Sequence, residues 1–165
     1  MPSPDKTPRA IDDSPTATTV LRQFRIVFNV VKSHFREVER TAGISGAQLW
    51  ALSVIAGTPG IGVTELARAL DIHQSTASNL VRTLATRGLL ESRREGADRR
   101  TAGLYVLDAG IQLLHRAPTP FAGVLRQALA ELSPVTLKQL EHDLNLLIAL
   151  LDKDETSAQV PLAHL

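Results

Sequence analysis

The sequence predicts a mostly helical fold with one small β-wing, and three observations predict it. First, the N-terminal stretch after Pro15 and the C-terminal stretch after Pro134 repeat apolar residues at three- and four-residue spacing, as amphipathic helices do. Second, two short helical segments, VTELARALDIHQ and HQSTASNLVRT (His73 to Thr83), meet at Asp71-Ile72-His73, a span that allows only a tight turn. Third, the strand-like runs LLESRR and TAGLYV follow at once, around a charged, glycine-containing loop from Glu95 to Arg100. Helix, turn, helix and basic hairpin make a winged helix-turn-helix, flanked here by long terminal helices.

Taken in order, residues 1–15 hold four prolines among small polar and charged residues, so a disordered arm is expected. Residues 16–43 form the first long helix and its end. Leu21, Phe24, Val27, Phe28, Val31, Phe35 and Val38 make a broad apolar stripe on it. That stripe exceeds what one small domain buries; matched to the last helix, it is expected to form a dimer seam, with core packing as the alternative. Gly43 stops the helix, and Ser45-Gly46-Ala47-Gln48 has the pattern of a capping box for the next, which runs to about Ala56. Thr58-Pro59-Gly60 is a turn.

The winged helix-turn-helix spans residues 44–107. Thr64 is expected to cap its next helix, with Leu66, Ala67 and Leu70 pointing inward. Asp71 stands where such turns often use glycine, since Asp tolerates positive φ better than most residues. His73 takes the cap position of the following helix, and Gly88 stops it. Residues 108–155 supply the C-terminal helices, expected to serve dimerisation like the first. Pro118 and Pro120 demand a local kink or short break, and Ser133-Pro134 caps the last helix, whose Leu137, Leu140, Leu144, Leu147, Ile148 and Leu151 share a stripe. Residues 156–165 are expected to be a flexible tail.

The segment from His73 to Thr83 carries the functional signal. Ala77, Leu80, Val81 and Leu84 fall on one helical face. Gln74, Ser75, Thr76, Ser78, Asn79 and Arg82 fall on the other, and no acidic residue interrupts from Gln74 to Arg87. Short donor and acceptor side chains suit base edges in a DNA major groove, and Arg82, a full turn beyond the leading residues, suits phosphate. A merely solvated polar face would look the same, and the hairpin decides between them. Arg93 and Arg94 on its first strand are expected at phosphates, and Arg99 and Arg100 lie next to the tip, where arginine can enter a narrow minor groove. Charge agrees: from His73 to Leu104 six arginines face three acids, a balance of +3. From Val106 onward four basic residues face seven acids, a balance of −3, although the whole chain is only +1.

At these residues the chain resembles a known family. GVTELARALDIHQSTASNLVRTLATRGLLESRREGADRRTAGLYVLDAG resembles the MarR-type (multiple antibiotic resistance regulator) transcriptional regulators. Its most specific part is RGLLESRREGADRR, with Asp98 and Arg100 as the wing's Asp-x-Arg and a helix start near Asp108-Ala109-Gly110. A looser likeness in helix order and length covers residues 18–152. The resemblance implies homodimers on double-stranded, pseudo-palindromic operators, with two recognition helices roughly 34 Å apart, and in many members release of DNA by a small molecule. It implies that Asp98 pairs with a wing arginine and fixes the hairpin. It also implies an effector pocket between the dimer helices and the reading head, where His34, Arg36 and Trp50 offer a cation-capable ring, a cation and an aromatic platform for an anionic or aromatic effector. Packing roles for His34 and Trp50 are the alternative. Asn79 stands for a basic residue often found there, Leu107 for a usual Thr and His73 for a usual Ser; these departures bear on the operator sequence, not on the fold.

Composition excludes other classes. With no cysteine, the chain has no disulfide, no thiolate metal site and no peroxide sensing of the kind one branch of that family uses. The longest apolar run, LLIALL, is too short to span a bilayer, and MPSPDKTPRA lacks a secretory h-region, so a cytoplasmic protein is expected. No cofactor or metal is expected. The five histidines (34, 73, 115, 142, 164) form no His-Glu-x-x-His pattern, Glu141-His142-Asp143 spreads around a helix, and no phosphate loop or Gly-x-Ser-x-Gly elbow occurs. An enzyme is not expected. The reading is a sequence-specific, homodimeric repressor relieved by an effector. The alternative is an effector-independent architectural protein of low sequence specificity, marked by salt-dependent binding without preference over random DNA.

Overall fold

The structure, a computed structural model, describes residues 15–94 and 102–151. The wing tip with Asp98, Arg99 and Arg100, the expected arm and the expected tail lie outside the described residues.

Helix α1 (Pro15–Ala42) is 28 residues long and stops at Gly43, whose φ of +68° suits a residue without a Cβ. Only Val31 and Val38 of its stripe are buried. Val20, Leu21, Ile26, Val27, Phe28 and Val30 face outward. Helix α2 (Gly46–Gly57) starts on the expected capping box: Gln48 N–H donates to Ser45 Oγ at 3.3 Å and Ser45 N–H to Gln48 Oε1 at 3.0 Å. It is apolar on every side and forms the centre of the core, with Leu49, Ala51, Leu52 and Ile55 fully enclosed. Burying one such leucine or isoleucine contributes roughly 2 kcal/mol, so this helix anchors everything packed around it.

Helix α3 (Val63–Leu70) buries Leu66, Ala67 and Leu70, as the spacing implies. Its cap differs from the expectation at Thr64. The cap residue is Gly62, whose N–H donates to Glu65 Oε2 at 3.0 Å. Glutamate at the third helical position satisfies an otherwise orphaned donor from inside the helix, so the helix begins before Thr64 and the threonine hydroxyl is released for another use. Helix α4 (Gln74–Thr86) follows the turn and ends at Arg87, with Gly88 at φ +67°.

Strands β1 (Leu90–Arg93) and β2 (Gly103–Val106) pair antiparallel in the register Leu90↔Val106, Glu91↔Tyr105, Ser92↔Leu104, Arg93↔Gly103. Alternation puts Leu90 and Leu104 into the core, while Glu91, Arg93 and Tyr105 share the outer face. Ile61, in the turn before α3, bridges to Leu104: Gly60 N–H donates to Leu104 O at 2.9 Å and Leu104 N–H to Ile61 O at 3.0 Å. The wing is thus laced to the helix-turn-helix at its root.

Helix α5 (Asp108–Arg116) packs its first turn on the wing. Of the kink and the short break that Pro118 and Pro120 allow, the break is what forms: residues 117–123 leave the helix altogether before α6 (Val124–Ala130). Neither proline can donate into a helix, and the residue before a proline is driven out of the helical region, as Ala117 is at φ −73°, ψ 145°. Helix α7 (Pro134–Leu150) has the expected Ser133 cap, Thr136 N–H donating to Ser133 Oγ at 3.1 Å. None of its residues is buried; Leu137, Leu140 and Leu144 are half-covered, and Leu147, Ile148 and Leu151 are exposed.

Candidate nucleic-acid interface

Two elements packed against each other present polar groups to the outside: helix α4 and the wing root. The apolar face of α4 is seated by Ala77, Leu80 and Leu84, all buried, which fixes the opposite face outward. On that face Gln74, Ser75, Asn79 and Arg82 are exposed, and Thr76 and Ser78 are half-exposed. The turn that aims the helix is held at both ends. Asp71 adopts the left-handed conformation, φ 54° and ψ 48°, which costs a non-glycine residue roughly 1–2 kcal/mol. Ile72 N–H donates to Ala67 O at 3.0 Å, closing α3. Gln74 Nε2 then donates to Thr64 Oγ1 at 3.1 Å, tying the first residue of α4 back across the turn. Gln74, expected to contact DNA, therefore has an architectural role as well. His73 makes no side-chain cap bond to α4.

Asn79 and Arg82 lie one turn apart, and Arg82 Nη1 donates to Asn79 Oδ1 at 3.3 Å. With its amide oxygen accepting from Arg82, the exposed Asn79 still has its amide N–H₂ to offer as a donor. The far end of α4 is tethered too. Arg87 Nη1 donates to Gly43 O at 2.6 Å, joining the end of α4 to the junction between α1 and α2. In sequence Arg87 counts only toward the positive charge of this segment; a partner 44 positions away leaves no local signal.

On the wing, Arg93 and Arg94 are exposed, but Arg93 is engaged. Its Nε donates to Glu91 Oε1 at 2.7 Å, its Nη2 pairs with the same oxygen, and its guanidinium lies 5.0 Å from the Tyr105 ring centroid. Glu91 was counted in sequence only as charge.

The three residues expected at an effector pocket are not alike in setting. His34 is half-buried beside Phe35, ring centroids 5.7 Å apart, and its Nε2 is buried without a hydrogen-bond partner among the described residues. Arg36 is exposed, and two residues along a helix point to nearly opposite sides. Trp50 is half-buried, with the guanidinium of Arg126 from α6 5.0 Å from its ring centroid. The cation beside the aromatic platform is therefore Arg126, which sequence reasoning missed because α6 and α2 meet only in the folded chain. Among the described residues no cluster of three His, Asp or Glu side chains stands together, and no helix is long and apolar enough to cross a membrane.

Residues 42–101 match the family model described as the MarR family. A protein of Thauera aromatica named as a transcriptional regulator for the hcr operon is 32% identical over 81 residues, 49% of each chain. The chain thus spans about half the length of that relative. Among solved structures, the S. aureus MepR–DNA complex superposes with a TM-score of 0.55 at 20% identity, covering 82% of this chain and 96% of that one. A MepR-like protein complexed with pseudoligands gives 0.57 at 14% identity over 83% and 96%. BldR of Sulfolobus solfataricus gives 0.53 at 18% identity over 81% and 95%. At such identities these structures speak for the fold, a winged helix-turn-helix between long helices.

Proposed function

We propose that this chain, whose residues 42–101 match the model of the MarR family, acts as a sequence-specific, homodimeric repressor of a pseudo-palindromic operator, in the cytoplasm. The observation that carries this reading is the outward face of α4: six positions, five with short polar side chains and one arginine, fixed by a buried opposite face and followed in the chain by the basic wing root. Ser75, Thr76, Ser78 and Asn79 read base edges; Arg82, Arg93 and Arg94 hold phosphate. For Arg99 and Arg100 the proposed contact is the minor groove, and for Asp98 a pairing with a wing arginine; all three lie outside the described residues. The exposed apolar faces of α1 and α7 support pairing of two chains, which sets two α4 helices about one DNA turn apart. The DNA seen with MepR supports the same partner here.

An anionic or aromatic effector relieves repression by favouring the arrangement that spaces the two α4 helices wrongly, since a ligand shifts only an equilibrium between states it binds unequally. His34 and Trp50 remain the contacts proposed for it. Arg126, already stacked on Trp50, is better placed than Arg36 to meet the ligand's charge. Selection of bound sequences from a random duplex library at physiological salt tests the reading. An inverted repeat is the expected result. Salt-sensitive binding with no recovered motif would replace it with the architectural alternative.

A further inference from the structure

We propose that Glu91 is a built-in counter-ion for Arg93, which DNA phosphate must displace, and that it thereby holds down the affinity of the wing for any duplex. The proposal rests on the reading of α4 and the wing as a DNA-binding surface. Its basis is the geometry of the outer face of the hairpin. Glu91 and Arg93 are two residues apart on one strand, so both project to the same side. Glu91 pairs in register with Tyr105, and Arg93 with Gly103.

Gly103 determines where the arginine goes. It offers Arg93 no side chain to lean on, and a Cβ there would lie 3.0 Å from both Cα and O of Gly60, so a larger residue would need the Gly60 backbone to give way. Arg93 accordingly lies back over Tyr105, 5.0 Å from the ring centroid, and its Nε and Nη2 both meet Glu91 Oε1. That Nε–Nη2 edge is the pair of parallel donors a guanidinium uses to grip an oxyanion with two bonds. In the free protein it is already occupied by a carboxylate. The pair is not sealed off: the Arg93 and Glu91 side chains are 53% and 39% exposed. A phosphate can reach the guanidinium, but only by exchanging with Glu91 and then standing beside a freed negative charge. The Tyr105 ring keeps Arg93 in place during that exchange. Glu91 is a positioning residue that opposes binding, not one that makes it.

The test is duplex binding by the full chain across a salt series, for wild type, Glu91→Gln, Arg93→Gln and the double variant. Glutamine keeps the size of Glu91 and removes its charge. The expected result is about fivefold tighter binding by E91Q at physiological salt, with a slope of log K against log salt steeper by up to about 0.9 for each Arg93 released. In the R93Q background the same change should gain nothing. A purely structural role for Glu91 would not steepen the slope. Unchanged or weaker binding by E91Q overturns the proposal, as does a gain that persists without Arg93; both outcomes leave the DNA-binding reading standing if the wild type binds. A wild type with no salt-dependent binding removes that reading, and this proposal with it.

Discussion

Gly110 shows what a single residue can decide in this protein. It sits in the first turn of α5, where a Cβ would lie 2.3 Å from Leu89 O and 2.6 Å from Val106 Cγ1. The Leu89 carbonyl cannot retreat cheaply, because it accepts the Leu107 N–H at 3.0 Å. Gly110→Ala is expected to destabilise the fold by about 3 kcal/mol, at the upper end of overpacking costs, and chemical denaturation would measure it. In sequence the same glycine marks only the start of a helix. The effector candidates carry a similar lesson. His34 and Arg36 share one helix, whose geometry turns the two apart, while Arg126 is 76 positions from Trp50 and becomes its neighbour only through packing.

At the scale of elements, local chemistry is the stronger guide. The Ser45–Gln48 capping box, the Ser133-Pro134 start, the Asp71 turn and the Gly43 and Gly88 stops all stand where the sequence places them, because each satisfies backbone groups within a few residues. Ser45→Ala is expected to cost about 1 kcal/mol, read from the midpoint of thermal or denaturant unfolding, with α4 unaffected. Expectation and structure part where two local rules compete. At α3 the glutamate of Gly62–Glu65 outweighs the threonine, and Thr64 instead receives Gln74 across the turn. At residues 117–123 two prolines act together, and of kink and break it is the break that forms.

At the scale of the whole molecule, the apolar surface is distributed unevenly. The core lies around α2, α3, α4 and the wing, whereas α1 and α7 leave large side chains outside it, among them Phe28 at 58%, Val135 at 79% and Leu150 at 81% exposure. Surface of that extent on two long helices fits a partner, and the proposed second copy of the chain would bring the symmetry an inverted-repeat operator needs. Phe28→Glu should therefore shift the sedimenting species from two chains to one and weaken binding to the selected operator at least tenfold, since two linked half-sites become independent. A variant that stays dimeric with unchanged binding would remove α1 from the seam. The Arg87–Gly43 bond then has a use: it ties the end of α4 to the end of α1, so α4 follows the helix expected to set its spacing.

The sequence by itself determined the order of elements, the face of α4 that points outward and the hairpin that follows it. These depend on periodicity, caps and turns, which act over a few residues. It also determined that cysteine chemistry is absent. Tertiary structure alone decided which charges are already spoken for. Glu91 holds Arg93, Asn79 accepts from Arg82, Arg87 reaches Gly43, and Arg126 covers Trp50. A long charged side chain has several partners within its reach and no local rule to choose among them, so the choice waits on the packing that brings one of them close.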